Sequence, residues 1–217
     1  MILLRLLPWS VLAAMWIGAA AFWPHAPDRM PVHWNAAGEV DRWGSPVEGV
    51  LLLPAVATGV MLLFRTIPRI DPGRANFAQM RGAWAGIQAA VVAFLGVVYG
   101  ASLGAWPLVP TVPVTLGALF MVLGALMGKI RPNYTLGIRT PWTLASKRAW
   151  TRTHRVGGFG FLASGLAVLV AALIAPAWSV AVLLGSVVLL VGGLFAYSWY
   201  VWSGDPDRIP PSGTTPA

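Results

Sequence analysis

The sequence predicts an all-α integral membrane protein, a bundle of six transmembrane helices with two basic inner loops. Three observations carry this expectation. Of 217 residues, 57% are hydrophobic and only 10% are charged, whereas soluble domains carry about 25% charged residues. The apolar residues come in blocks long enough to cross a hydrocarbon core, which takes about 20 residues as a helix. Those blocks lack the apolar and polar alternation over about 10 positions that marks barrel strands, so no strand is expected. High hydrophobicity excludes disorder as the organising principle, and the absence of cysteine excludes a disulfide framework. A net charge of +8 could suggest nucleic acid, but a membrane protein gains the same surplus from basic inner loops, and no direct nucleic-acid binding is expected.

The first crossing is expected at about residues 6–23; its apolar run exceeds the core of about 7 to 15 residues found in secretory signals, so it is read as a retained helix. The second is expected at 47–64, with Glu48 near one boundary. Residues 82–128 contain no Asp, Glu, Lys or Arg, enough for two crossings at 83–104 and 108–128, broken where Trp106, Pro107 and Pro110 cluster. Residues 156–204 repeat the arrangement, with helices at 156–175 and 177–202 turning at Pro176. Residues 1–202 thus form one domain, and 203–217, with Pro206, Pro210, Pro211 and Pro216, are expected to be a disordered tail. Thirteen of the fifteen Lys and Arg lie at Arg5, in 65–81 and 129–155, and at Arg208; only Arg29 and Arg42 fall on the other side. By the positive-inside rule both termini and the long basic loops are cytoplasmic. Gly96, Gly100 and Gly104 recur on one face of the third helix, and Gly124 with Gly128 on the fourth, which allows close helix packing within the chain or between copies.

In the outer loop, His33, Asn35, Gly38 and Asp41 are the candidate binding residues. Imidazole beside Glu39 and Asp41 could ligate Zn²⁺ or Mn²⁺, but no paired-His spacing is present, and neither metal nor cofactor is expected. The alternative is that His33 and Asn35 hydrogen-bond backbone around the turn at residues 35–38. In the first inner loop Asp71 is a candidate cap for a short helix over 74–81. The second inner loop is the richest in specific side chains. Arg139, Trp142, Trp150 and His154 are the candidate functional surface there, shaped by Asn133, Gly137 and Pro141, while Ser146 is placed to cap a helix from Lys147 that runs into the fifth crossing. An enzyme could use His154 as a base and Arg139 to hold an anion. Residues 129–155 contain no Asp or Glu to orient that histidine, so no enzymatic activity is expected. Membrane lipids are the expected partners of Lys147, Arg148, Arg152 and Arg155. The crossings hold few polar residues, chiefly Gln88, Ser102, Thr115, Ser164 and Ser186. A carrier of amphipathic molecules is therefore the alternative function, and ion coupling has little to rest on.

The run from Arg131 through Pro132, Asn133, Tyr134, Gly137, Arg139, Thr140, Pro141 and Trp142 to Leu144, followed by Trp150, Thr153, His154, Arg155, Gly157 and Gly158, resembles the signature of the SdpI immunity-protein family. Met30, Pro31, Val32, His33, Trp34, Asn35 and Gly38 with Asp41 are similar to the associated outer-loop motif, and Ile70, Asp71 and Pro72 with Asn76 and Phe77 to its first inner loop. The resemblance implies a six-helix protein of the bacterial plasma membrane. It also implies protection against a secreted peptide toxin and signalling through a transcriptional repressor held at the membrane.

Overall fold

The computed structural model describes residues 2–35 and 38–209. Among these, six helical segments are long and apolar enough to cross a membrane: Ile2–His25, Val47–Ile70, Arg74–Ser102, Leu108–Met127, Lys147–Ile174 and Pro176–Ser203. They match the expected crossings in number and order. In chain order the helices are α1 (Ile2–Phe22), α2 (Leu52–Ile70), the one-turn α3 (Arg74–Phe77), α4 (Arg81–Ser102), α5 (Leu108–Met127), the one-turn α6 (Pro141–Leu144), α7 (Lys147–Ile174) and α8 (Ser179–Ser203). A π-helical turn, Val47–Leu51, leads into α2.

Many large apolar side chains point outward, and small ones line the inside of α4. On α8, Leu184, Val188, Leu189 and Tyr200 are exposed, as lipid-facing residues are, whereas Ala83, Ala85 and Ala89 of α4 are buried. Hydrocarbon tails are as apolar as leucine, so what remains to drive helix association is close packing. The antiparallel pair α5 and α7 shows it. A Cβ on Gly124 would lie 2.7 Å from the Gly158 carbonyl oxygen, and one on Gly165 would lie 2.5 Å from that of Gly117. Gly96 admits Val11 of α1 and Gly100 the Trp106 ring, while Gly104 sits at the turn with φ +85°. Gly128 faces open space. Of the glycines anticipated as a packing face, Gly96, Gly100 and Gly124 are therefore used inside the chain, and Gly104 and Gly128 are not.

Two parts of the sequence reading need correction. Residues expected to lack strands form an antiparallel hairpin, β1 (Met30–Trp34) with β2 (Val40–Gly44), pairing Met30 with Gly44 and Trp34 with Val40. Register shifts on either side of His33 break strict alternation, and Pro31 is tolerated because a two-stranded sheet consists of edges. Such a hairpin is marginal alone. It is held at its root by Met30, which fills the space over Gly49 and joins a core of Met15, Ala19, Val50 and Ala57. The supposed disordered tail is also ordered as far as it is described. Asp205 is buried, and the Ile209 N–H donates to the Ala145 carbonyl at 3.0 Å; residues 210–217 lie outside the described residues. A second core, at the opposite end of the bundle, gathers Phe77, Met80, Ile87, Met127, Ile130 and Trp150.

Candidate functional site

At the hairpin end, His33 and Asp41 face each other across the strands, with Nδ1 2.6 Å from Oδ1. Asn35 closes the turn. Its side-chain oxygen accepts from the Glu39 N–H at 3.0 Å, its amide donates to the Glu39 carboxylate at 3.0 Å, and its carbonyl accepts from the Gly38 N–H at 2.9 Å. Asn35 thus serves backbone as anticipated, whereas His33 takes a carboxylate partner. Gly38 has φ +82°, and a Cβ there would lie 2.7 Å from a methyl of Val109 at the start of α5. Arg42 and Glu48 form an ion pair at 2.6 Å that ties β2 to the turn before α2.

The hairpin is therefore a strap, rooted through Met30 and Gly49 on the π-helical turn that leads into α2, and touching α5 at its tip. Beneath it lies a chamber of about 970 Å³, the upper end of the range of pockets that bind small molecules. Residues 31–35 of the strap form its roof, and Leu52, Val98, Val112, Val180 and Leu183 its walls. Leu116 and Val168 lie deep in it. From Leu108 to Leu116 is eight residues, which at 1.5 Å per residue is about 12 Å of depth along α5. Ser102 and Ser179 line it too, but their hydroxyls donate to the Tyr99 and Pro176 carbonyls at 2.8 and 2.7 Å. Glu48 is the carboxylate among the described lining residues, and no Lys or Arg is among them. Sequence reasoning selected His33, Asn35, Gly38 and Asp41 and passed over Glu48. The available signal was an acidic residue at the first turn of an apolar crossing.

The opposite end is a junction of the two basic loops. Asp71 is buried and ends α2, its N–H donating to the Ile67 carbonyl, but it does not cap α3 as expected; Gly73 is the residue before α3, and its N–H donates to Asp71 Oδ1 at 2.6 Å. The same carboxylate accepts from the Tyr134 N–H at 3.1 Å and from the Thr135 hydroxyl, which locks residues 63 and 64 positions apart. Asn76 adds a bond to the Pro132 carbonyl at 2.7 Å. Asn133, buried, accepts from the Thr135 and Leu136 N–H groups at 2.9 and 2.6 Å. His154 Nε2 accepts from the Ile138 N–H at 3.0 Å, so the ring is neutral and its Nδ1–H donates to the Trp150 carbonyl at 2.8 Å. The ring stacks on Trp150 at 4.1 Å, and the indole N–H donates to the Ile130 carbonyl at 2.9 Å. Gly137, at φ +105°, passes so close to His154 Nε2 that a Cβ has no room.

Trp150 and His154 are each 1% exposed. They are corrected from the functional surface to the scaffold beneath it, joining Asn133 and Gly137. Both ring nitrogens of His154 are engaged by backbone, which leaves no lone pair to serve as a base. Arg139 is exposed and donates to the Tyr134 carbonyl. Pro141 opens α6, which Thr140 caps by accepting from the Thr143 N–H at 3.1 Å, and Trp142 packs edge-on against Phe195 of α8 at 4.6 Å. Ser146 caps α7 as anticipated, accepting from the Ala149 N–H at 2.8 Å, and its hydroxyl donates to Asp205. That hydrogen bond holds the Asp205 carboxyl below the usual carboxylate range, aided by the Asp207 N–H, Arg148 and Arg208 and opposed by burial. No group of three or more His, Asp or Glu able to hold a metal occurs among the described residues.

Residues 129–198 match the SdpI/YfhL protein family, and residues 11–58 match a domain of unknown function, DUF1648. No curated protein and no solved structure matches the chain. The first match takes in Asn133, Gly137, Trp150 and His154 with α7 and most of α8; the second takes in the strap and its anchor on the turn before α2. The two matches fall on the two ends just described: over residues 129–198 the chain is similar to the SdpI/YfhL family, and its six apolar helices are those of a multi-pass membrane protein.

Proposed function

We propose that this chain is an immunity or sensor protein of the SdpI type in the bacterial plasma membrane. It takes a secreted amphipathic peptide at the strap end, outside the cell, and presents the basic junction to a regulator in the cytoplasm. The observation that carries this reading is the chamber of about 970 Å³, apolar in its depth and polar at its roof. The orientation is supported by the thirteen of fifteen Lys and Arg at or near the junction end. An occupant touching α2, α5 and α8 at once would favour one arrangement of the helices over another, and the two junction loops follow directly on α2 and α5.

The test is survival. Cells lacking the gene are exposed to the peptides secreted by the host and its neighbours, then complemented with wild type or with Val112→Trp, which fills the chamber. Protection by wild type and not by the filled variant, at equal membrane level, is expected. Unchanged sensitivity on deletion removes the immunity reading. The chamber's depth of about 12 Å also suits a carrier, whose mark would be accumulation of an amphipathic solute in sealed vesicles holding the purified protein.

A further inference from the structure

Resting on the reading of the strap end as the peptide-binding end, we propose that the chamber takes an extended apolar peptide segment by strand addition. The segment pairs with the open edge of β1, and its amino-terminal ammonium sits at Glu48. Two independent observations point there. Five consecutive residues, 31–35, line the chamber. A strand that met it with one face alone would contribute alternate residues. β1 pairs with β2 and with no other strand among those described, so its second edge offers backbone groups to an added strand, one of the recurring ways an extended peptide is read. Pro31 withholds one N–H from that edge, which limits pairing to the stretch beyond it.

The second observation is charge. Glu48 lines the chamber with no Lys or Arg beside it in the lining. Its Oε1 meets Arg42, and Oε2 makes no hydrogen bond among the described residues. Arg42 is half exposed and can turn to water when a second cation arrives. Deeper down, the serine hydroxyls are occupied by helix carbonyls and the walls are aliphatic, so the depth suits side chains of leucine or valine type. An anionic terminus would meet Glu48 with Glu39 and Asp41 nearby on the same strap.

The experiment uses the full chain in lipid nanodiscs and a short peptide of alternating leucine and valine, one leucine replaced by its diazirine analogue. The peptide is compared with its N-acetylated form and with a diazirine-bearing dodecylamine, and the cross-linked residues are mapped by mass spectrometry. Labelling is expected at Leu116, Val168 or Leu183, about tenfold weaker for the acetylated peptide and for Glu48→Gln. Arg42→Gln separates recognition from folding. If Glu48 merely holds the strap, both variants lose labelling alike; if it binds the ammonium, Arg42→Gln raises labelling while Glu48→Gln lowers it. Equal labelling by the acetylated peptide overturns the ammonium site, and equal labelling by dodecylamine overturns strand addition. No toxin enters the assay, so its result stands apart from the survival test.

Discussion

Gly137 meets two obstacles to any side chain at once: φ +105° and the His154 ring in the place a Cβ would take. Gly137→Ala is expected to cost about 1–3 kcal/mol from backbone strain alone, read as a lower midpoint of thermal unfolding in detergent. Gly128→Ala, which enters open space on the same loop, is expected to leave the midpoint unchanged. Asp205 makes a different demand. Its folded-state pKa is depressed, so its contribution is complete above the unfolded carboxylate value of about 4 and is lost as pH falls through the lower folded value. Limited proteolysis at residues 204–209 should therefore be slow at neutral pH and fast in acid. Asp205→Asn is expected to be cut rapidly at every pH. Uniform cutting of the wild type would show that the carboxylate does not hold the segment.

The seam between α5 and α7 is where helix packing is least forgiving. Gly124→Val places its Cβ 2.7 Å from a carbonyl oxygen that is part of α7 and cannot swing aside, and overpacking of this kind costs about 1–3 kcal/mol. Gly192→Val on α8 adds the same methyls into open space and should be neutral, so the pair measured by thermal unfolding isolates the seam. The strap is the most easily detached element, because two strands cannot sustain themselves. Met30→Ala is expected to remove its main anchor at a cost of about 2–5 kcal/mol. Amide exchange should then accelerate over β1 and β2 while α5 and α7 keep their protection. Exchange that rises evenly across the bundle would mean that Met30 belongs to the common core.

For the whole molecule, what could be read from residues alone was whatever lipid dictates. Six apolar blocks had to be helices, Pro107 and Pro176 had to mark turns, and Ser146 stood where α7 needed a cap. The strap was not legible, since the register shifts around His33 and the proline at position 31 erase the alternation that announces a strand. The role of Asp71 was not legible because its partners, Tyr134 and Thr135, lie more than 60 residues away in the chain. His154 read as part of a cytoplasmic binding surface because it stands four residues from Trp150 on one helix face; its partners turn out to be the backbone of Ile138 and Trp150, which carry no signature. Glu48 was visible as a charge at the edge of a crossing, but its chamber exists only once β1, α2, α4, α5, α7 and α8 converge on it. These two ends, a roofed chamber and a basic junction, make functional sense only on opposite sides of the bilayer.

That arrangement can be measured directly, because the chain has no cysteine of its own. Single cysteines replace Asp28, beside the strap, or Lys129, at the junction; both side chains are exposed. Intact cells are treated with a membrane-impermeant maleimide. Labelling of Asp28→Cys in intact cells, with Lys129→Cys labelled only after permeabilisation, is the expected result, and the reverse pattern would contradict the account at its centre.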